Sequence, residues 1–345
     1  MLNQLELRLK CLVLTLSYNF ELDRVLKEIN RRNAKRILIQ IPDGLKPQAF
    51  TLATTIEKNA KTKVFLSASP CYGGCDIAIN QARILNVDLI VHYGHTPFRS
   101  ELEVPTIFFS AKTFLDLNSV LKKAENKLIG HDIGIATTIQ HIDELTIVEK
   151  HLKNLGFNAI ITPKEGHSSY SGQIIGCDYT PLKKISNYVD CFFIIGSKFH
   201  SLGACLAVNK PIIQADPYTN EVIDLKNIRK SLIVSRYTAI EKAKKSNNFA
   251  ILLSTKVGQY DPKTAEMLKK EISRKEKDVT MISADEISPD SLSNFQEVDI
   301  FVNTACPRLA IDDAAKFNNS ILLPKEILVA IGKMEWENLL DTGIL

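Results

Sequence analysis

Ser69-Pro70-Cys71-Tyr72-Gly73-Gly74-Cys75-Asp76 follows the strand-like run 63–68, and its cysteines have counterparts far along the chain. The counterparts are Gly176-Cys177-Asp178 and Ala305-Cys306-Pro307-Arg308. One cysteine in a polar, Gly- or Pro-marked loop of each third of the sequence suggests a shared metal site. The rest of the chain reads as the scaffold that brings the three together.

Working outward, residues 36–41 form a continuous apolar run of the kind buried on both faces of a parallel sheet. Helical spacing precedes it over 20–29, a helix is expected to about Ala60, and strands are expected at 64–67, 87–92 and 106–109. The middle third repeats the pattern with strands at 133–138, 159–162, 189–195 and 211–214. The last third does so again at 249–254, 279–283, 298–302 and 321–323. Strand-helix alternation of this kind gives parallel sheets with right-handed crossovers. The predicted fold class is therefore α/β, with three repeated domains, each a four-stranded, mainly parallel sheet flanked by helices. Their expected bounds are 1–124 with Cys75, 125–230 with Cys177 and 231–345 with Cys306.

A Val-Asp pair opens the third strand of each unit, at Asp88, Asp190 and Asp299, spaced by 102 and 109 residues. Cys75 precedes its aspartate by 13 residues and Cys177 precedes its own by 13, so the two hold equivalent positions. Cys306 lies 7 residues after Asp299, beyond the third strand, and breaks the equivalence. The loops are expected at the carboxyl edge of a parallel sheet, where α/β folds place their sites.

Composition narrows the class. At 345 residues the chain is long for one core, because single cores stop growing at about 250–300 residues. A net charge of +4 and 24% charged residues describe an ordinary globular protein with no basic tract that announces nucleic acid. Seven cysteines without a secretory leader indicate free thiols in a reducing, cytoplasmic setting. The apolar run 11–16 is too short for a membrane span, which needs about 20 residues. Residues 1–16 read as an added strand or an over-extended translation start.

Cysteines from three separate loops suit a 4Fe–4S cluster, since three thiolates leave one iron open for a small molecule. Zinc is the chemical rival, but structural zinc sites favour paired local spacings such as C-x2-C, and the sequence has none. Cys71 and Cys75 form C-x3-C, and the C-x3-C-x2-C extension fails at Ala78. Cys71 stays open as a substitute for Cys75. Cys191, in a buried strand pattern, and Cys205, in an apolar helix, read as small core hydrophobes, and Cys11 with them.

Gln40-Ile41-Pro42-Asp43-Gly44, Tyr72-Gly73-Gly74-Cys75-Asp76, His92-Tyr93-Gly94-His95, 172–177 and 305–312 resemble the motifs of the archaeal diphthamide-biosynthesis family of 2-(3-amino-3-carboxypropyl)histidine synthases. The resemblance runs from about Tyr18 to Gly332. It implies three α/β domains arranged around a central 4Fe–4S cluster on Cys75, Cys177 and Cys306, and a homodimer. It also implies that S-adenosylmethionine binds the open iron and is cleaved by the reduced cluster. The 3-amino-3-carboxypropyl radical so formed adds to an imidazole carbon of one histidine of translation elongation factor 2. The family needs an electron donor and neither nucleic acid nor membrane as a direct partner.

Candidate contacts to S-adenosylmethionine are the sheet-edge residues Asp43, Gly44, His92, Gly94 and Ser197, where glycine permits close backbone approach. Arg308 is a candidate for a carboxylate or for a supporting role beside Cys306. The polar loop 164–172 reads as a surface loop ahead of Cys177. Two other functions compete: an iron–sulfur lyase resembling quinolinate synthase, and a zinc-stabilised α/β interaction module.

Overall fold

The computed structural model describes residues 18–345. The expectations for residues 1–16 and Cys11 lie outside the described residues. Three separate sheets are present among them. The first contains β1 (Arg36–Gln40), β2 (Lys63–Leu66), β3 (Leu89–Tyr93) and β4 (Thr106–Phe109). The second contains β5 (Asp132–Thr137), β6 (Asn158–Ile161), β7 (Cys191–Ile195), β8 (Ile212–Asp216) and β9 (Glu221–Asp224). The third contains β10 (Asn248–Ser254), β11 (Asp278–Ala284), β12 (Ile300–Asn303) and β13 (Ser320–Leu322).

Each sheet follows one plan. The spatial orders are β2-β1-β3-β4, β6-β5-β7-β8-β9 and β11-β10-β12-β13. All pairs are parallel except β8 with β9. The sequence shows no sign of β9, so the middle sheet has five strands where four were expected. Its residues, Glu221-Val222-Ile223-Asp224, return along the edge strand β8 after a turn at Asn220, whose φ of 58° is left-handed. Central strands β3, β7 and β12 are wholly buried, and β1 and β5 nearly so, which explains why the unbroken apolar runs marked them.

The repeated Val-Asp pair has a physical cause. Asp88 Oδ2 accepts the backbone N–H groups of Lys35 and Arg36, at 2.7 and 2.9 Å, where β1 begins. Asp190 Oδ2 accepts those of His131 and Asp132 at 2.7 and 3.0 Å, at the start of β5. Asp299 Oδ2 accepts those of Asn247 and Asn248 at 3.1 and 3.0 Å, at the start of β10. In every unit one carboxylate on the lead-in to the third strand satisfies two donors at the mouth of the first strand and fixes the register of the pair.

The loop after β12 is braced from below by a buried ion pair. Arg236 Nε donates to Glu326 Oε1 at 2.7 Å, and the same guanidinium donates to the carbonyls of Ala310 and Ile321 at 2.7 and 2.6 Å. Ala310 lies in the short helix Arg308–Ile311 that follows Cys306, so the helix is tied to the third core.

The amides of Asp132 and His131 hold the Asp190 carboxyl below its ordinary pKa. A depressed native pKa stabilises the fold above the ordinary carboxylate pKa, and the contribution disappears as pH falls through the native value. Asp190→Asn should therefore destabilise the protein at neutral pH, with the gap to wild type closing under acid. Urea midpoints across a pH series check this, and a gap that does not change with pH contradicts it.

Candidate metal centre and its cavity

Cys75, Cys177 and Cys306 line one cavity, whose other lining residues come from the first two units. A second, more open cleft, bordered by Phe98, His167 and Tyr260, meets the same three cysteines. Each cysteine is placed by its own loop chemistry. For Cys75, Asp76 N–H donates to the carbonyl of Gly73 at 3.0 Å, and Gln40 Nε2 donates to the carbonyl of Asp76 at 2.6 Å. Gly74 is required here, since a Cβ would lie 2.0 Å from the carbonyl oxygen of Thr96. For Cys177, a bridge between Ile175 and Asp178 closes the turn around the residue. For Cys306, the buried Asn303 at the end of β12 donates Nδ2 to the carbonyl of Cys306 at 2.8 Å and accepts Ala305 N–H at 3.0 Å.

The three thiols feel one another. Burial pushes Cys75 up to about 12, and Cys306 adds to the rise. Burial and then Cys75 and Cys306 push Cys177 up as well, and burial raises Cys306. All three are free thiols rather than disulfide partners. Three half-buried thiols without a cation between them stay protonated; a bound cation reverses that preference and releases their protons. The donor set, one thiol from each sheet and open space beside all three, fits a thiolate-ligated cluster.

Behind the cavity wall runs a chain of hydrogen bonds. The side-chain oxygen of Gln40 accepts Ala78 N–H at 3.0 Å, and its amide donates to Asp76, so His92 Nδ1, 3.1 Å from that oxygen, carries a proton and donates. His92 Nε2 is then a bare acceptor, and His95 Nδ1 donates to it at 3.0 Å. Cys71, His92 and His95 bring their donor atoms within 4.8 Å, but this hydrogen-bond chain already satisfies both facing nitrogens. Burial, helped by nearby His200, lowers the His95 pKa to about 4, and burial lowers His200 to about 4, so both rings face the cavity neutral.

The expected contact residues divide. Gly94 lines the cavity, and its carbonyl accepts Gln140 Nε2 at 2.6 Å. His92 stands behind His95, and Ser197 Oγ pairs with His200 Nδ1 at 2.8 Å, so both reach the cavity through a second imidazole. Asp43 and Gly44 are not among the lining residues, and Asp43 is exposed beside Lys46 at 2.5 Å. Arg308 pairs with Asp313 and stacks 4.1 Å from the Tyr72 ring centroid, which is the supporting role. Cys71, Cys191 and Cys205 are buried; Cys191 and Cys205 belong to the core.

The 164–172 loop is more than surface. His167 stacks on Phe98 at 4.0 Å between ring centroids and pairs with Asp178 at 2.9 Å. Gln173, just beyond the loop, donates to Thr96 Oγ1 at 2.9 Å. Sequence reasoning also missed Thr138, Gln140, His200 and the turn Lys256–Gln259. The turn follows β10 as Pro42-Asp43-Gly44 follows β1, and that equivalence was the signal that could have found it. Lys256 is buried and donates to Asp76 Oδ2 at 2.9 Å and Glu286 Oε2 at 2.7 Å. Burial works against its ammonium, and the two carboxylates outweigh burial and raise its pKa.

Comparison with known proteins agrees with this geometry. Residues 41–340 match the family of diphthamide synthesis proteins. A 2-(3-amino-3-carboxypropyl)histidine synthase of Pyrococcus horikoshii is 33% identical over 313 residues, covering 90% of each chain. Subunit 1 of the Schizosaccharomyces pombe 2-(3-amino-3-carboxypropyl)histidine synthase is 28% identical over 93% of this chain and 75% of its own. The crystal structure of Dph2 from Pyrococcus horikoshii with a 4Fe–4S cluster superposes with a TM-score of 0.85, at 32% identity over 92% of each chain.

Lys256→Met leaves the Asp76 carboxylate buried without its cation, and should cost about 3–5 kcal/mol. Urea unfolding checks this. A loss below about 1 kcal/mol would mean that water screens the pair as at an open surface.

Proposed function

The chain belongs to the diphthamide synthesis protein family, and from that premise we propose that Cys75, Cys177 and Cys306 are the ligands of its 4Fe–4S cluster. The activity is that of a 2-(3-amino-3-carboxypropyl)histidine synthase, a transferase of the first step of diphthamide synthesis. It moves the 3-amino-3-carboxypropyl group of S-adenosylmethionine to a histidine imidazole carbon and releases 5′-methylthioadenosine. Family membership decides against the lyase and the zinc module.

One observation carries the ligand set: the three cysteines, one from each of three sheets, line a single cavity. The cluster supplies a one-electron source and one iron without a protein ligand. The chain supplies the rest. Gly94, His95, Gln140, Gln173 and His200 are placed to hold S-adenosylmethionine, with His92 and Ser197 orienting the two imidazoles. Neutral His95 and His200 leave a cationic sulfonium unopposed by like charge. Apolar Ile139, Ile174 and Phe199 line the same cavity, and held geometry directs which bond meets the cluster.

The units 1–124, 125–230 and 231–345 each contribute one ligand in this reading. Translation elongation factor 2 is its protein substrate, a homodimer its working unit, an electron donor its further partner and the cytoplasm its setting. Among the described residues no helix is long and apolar enough to cross a membrane.

Alanine at Cys75, Cys177 or Cys306 should remove most cluster iron from anaerobically purified protein and stop 5′-methylthioadenosine formation under dithionite. Cys71→Ala should keep both. Iron analysis and chromatography read the two quantities, and full iron in Cys306→Ala contradicts the ligand set.

A further inference from the structure

The turn after β10 reaches from the third unit onto the Cys75 loop of the first and grips it at three points. Gly258 N–H donates to the carbonyl of Cys75 at 3.0 Å. Lys256 Nζ donates to the carboxylate of Asp76 at 2.9 Å. Gln259 Nε2 donates to Cys75 Sγ at 3.5 Å, an ordinary length for a hydrogen bond to sulfur. The approach is close enough that a Cβ on Gly258 would lie 2.4 Å from the Cys75 Cα. The turn is itself closed by Gln259 N–H on the carbonyl of Lys256 at 2.9 Å. Among the described residues, Cys75 alone of the three cysteines has a side-chain amide on its sulfur.

A side-chain amide aimed at a ligand sulfur changes the energy of the electron on the cluster. Reduction adds negative charge that spreads onto the sulfurs, and an N–H dipole pointed at one of them stabilises the reduced form more than the oxidised one. We infer that Gln259 is a positioning residue that raises the reduction potential of the centre held by Cys75. This assignment rests on the proposed ligand set. It makes the third unit a supplier of two things: its own ligand, Cys306, and the electronic tuning of the first unit's ligand. The potential then depends on how the first and third units sit together, because the same turn carries the Lys256 ion pair.

The test is an electron paramagnetic resonance redox titration of the full-length, iron-loaded protein. Gln259→Leu removes the donor, and Gln259→Glu keeps the length while replacing the donor by a carboxylate. Both should keep wild-type iron per chain. At a fixed poise each should lower the reduced-to-oxidised ratio about tenfold, a midpoint about 59 mV more negative for a one-electron couple, with the Glu variant lower still. Unchanged midpoints with full iron overturn the assignment. So does loss of iron in both variants, which would show that the amide builds the site instead of tuning it. Failure of the ligand set looks different: Cys75→Ala would retain full iron and the wild-type midpoint.

Discussion

Three half-buried thiols that share one cavity at the junction of three sheets cannot all ionise unless a cation lies among them. Burial and mutual repulsion raise Cys75 to about 12 and push Cys177 upward with it. The protein therefore holds the three cysteines as protonated thiols at fixed positions, and a cation that binds them displaces their protons. Much else described above serves that meeting. Gln40 fixes the Cys75 loop from beneath, Asn303 closes the Cys306 turn, and Arg236 with Glu326 anchors the helix that follows it.

Repetition builds the scaffold cheaply in sequence, and departure from repetition makes the site. Each unit uses one strand order and one aspartate that satisfies two amides at the mouth of its first strand. Cys75 and Cys177 leave equivalent second strands. Cys306 leaves a third strand instead, and the position equivalent to theirs in the third unit, after β11, carries Asp285 and Glu286. Glu286 meets Lys256 and Tyr72, so that position braces the Cys75 loop instead of carrying a third equivalent cysteine.

Much of this was legible in the chain because it is written locally. Unbroken apolar runs marked the buried central strands, and the 13-residue register paired Cys75 with Cys177 by spacing alone. The short antiparallel β9 was not legible, since its few residues carry no periodicity and depend on β8 for their bonds. Neither was the grip of Lys256, Gly258 and Gln259 on the Cys75 loop, which spans about 180 residues of sequence and exists only through packing. Asp43 and Gly44 lie outside the lining of the cavity for a different reason. Their strand-turn pattern is real, but in the first unit Asp43 lies exposed beside Lys46, whereas the counterpart turn in the third unit bonds to the Cys75 loop.

The central claim is that three cysteines from three sheets hold a cluster with one iron left to the co-substrate. Mössbauer spectroscopy of the iron-57-loaded protein, with and without S-adenosylmethionine, addresses it directly. The expected result is three irons that ignore the co-substrate and one whose isomer shift and quadrupole splitting move when it is added. Four irons that stay alike under both conditions would contradict the account.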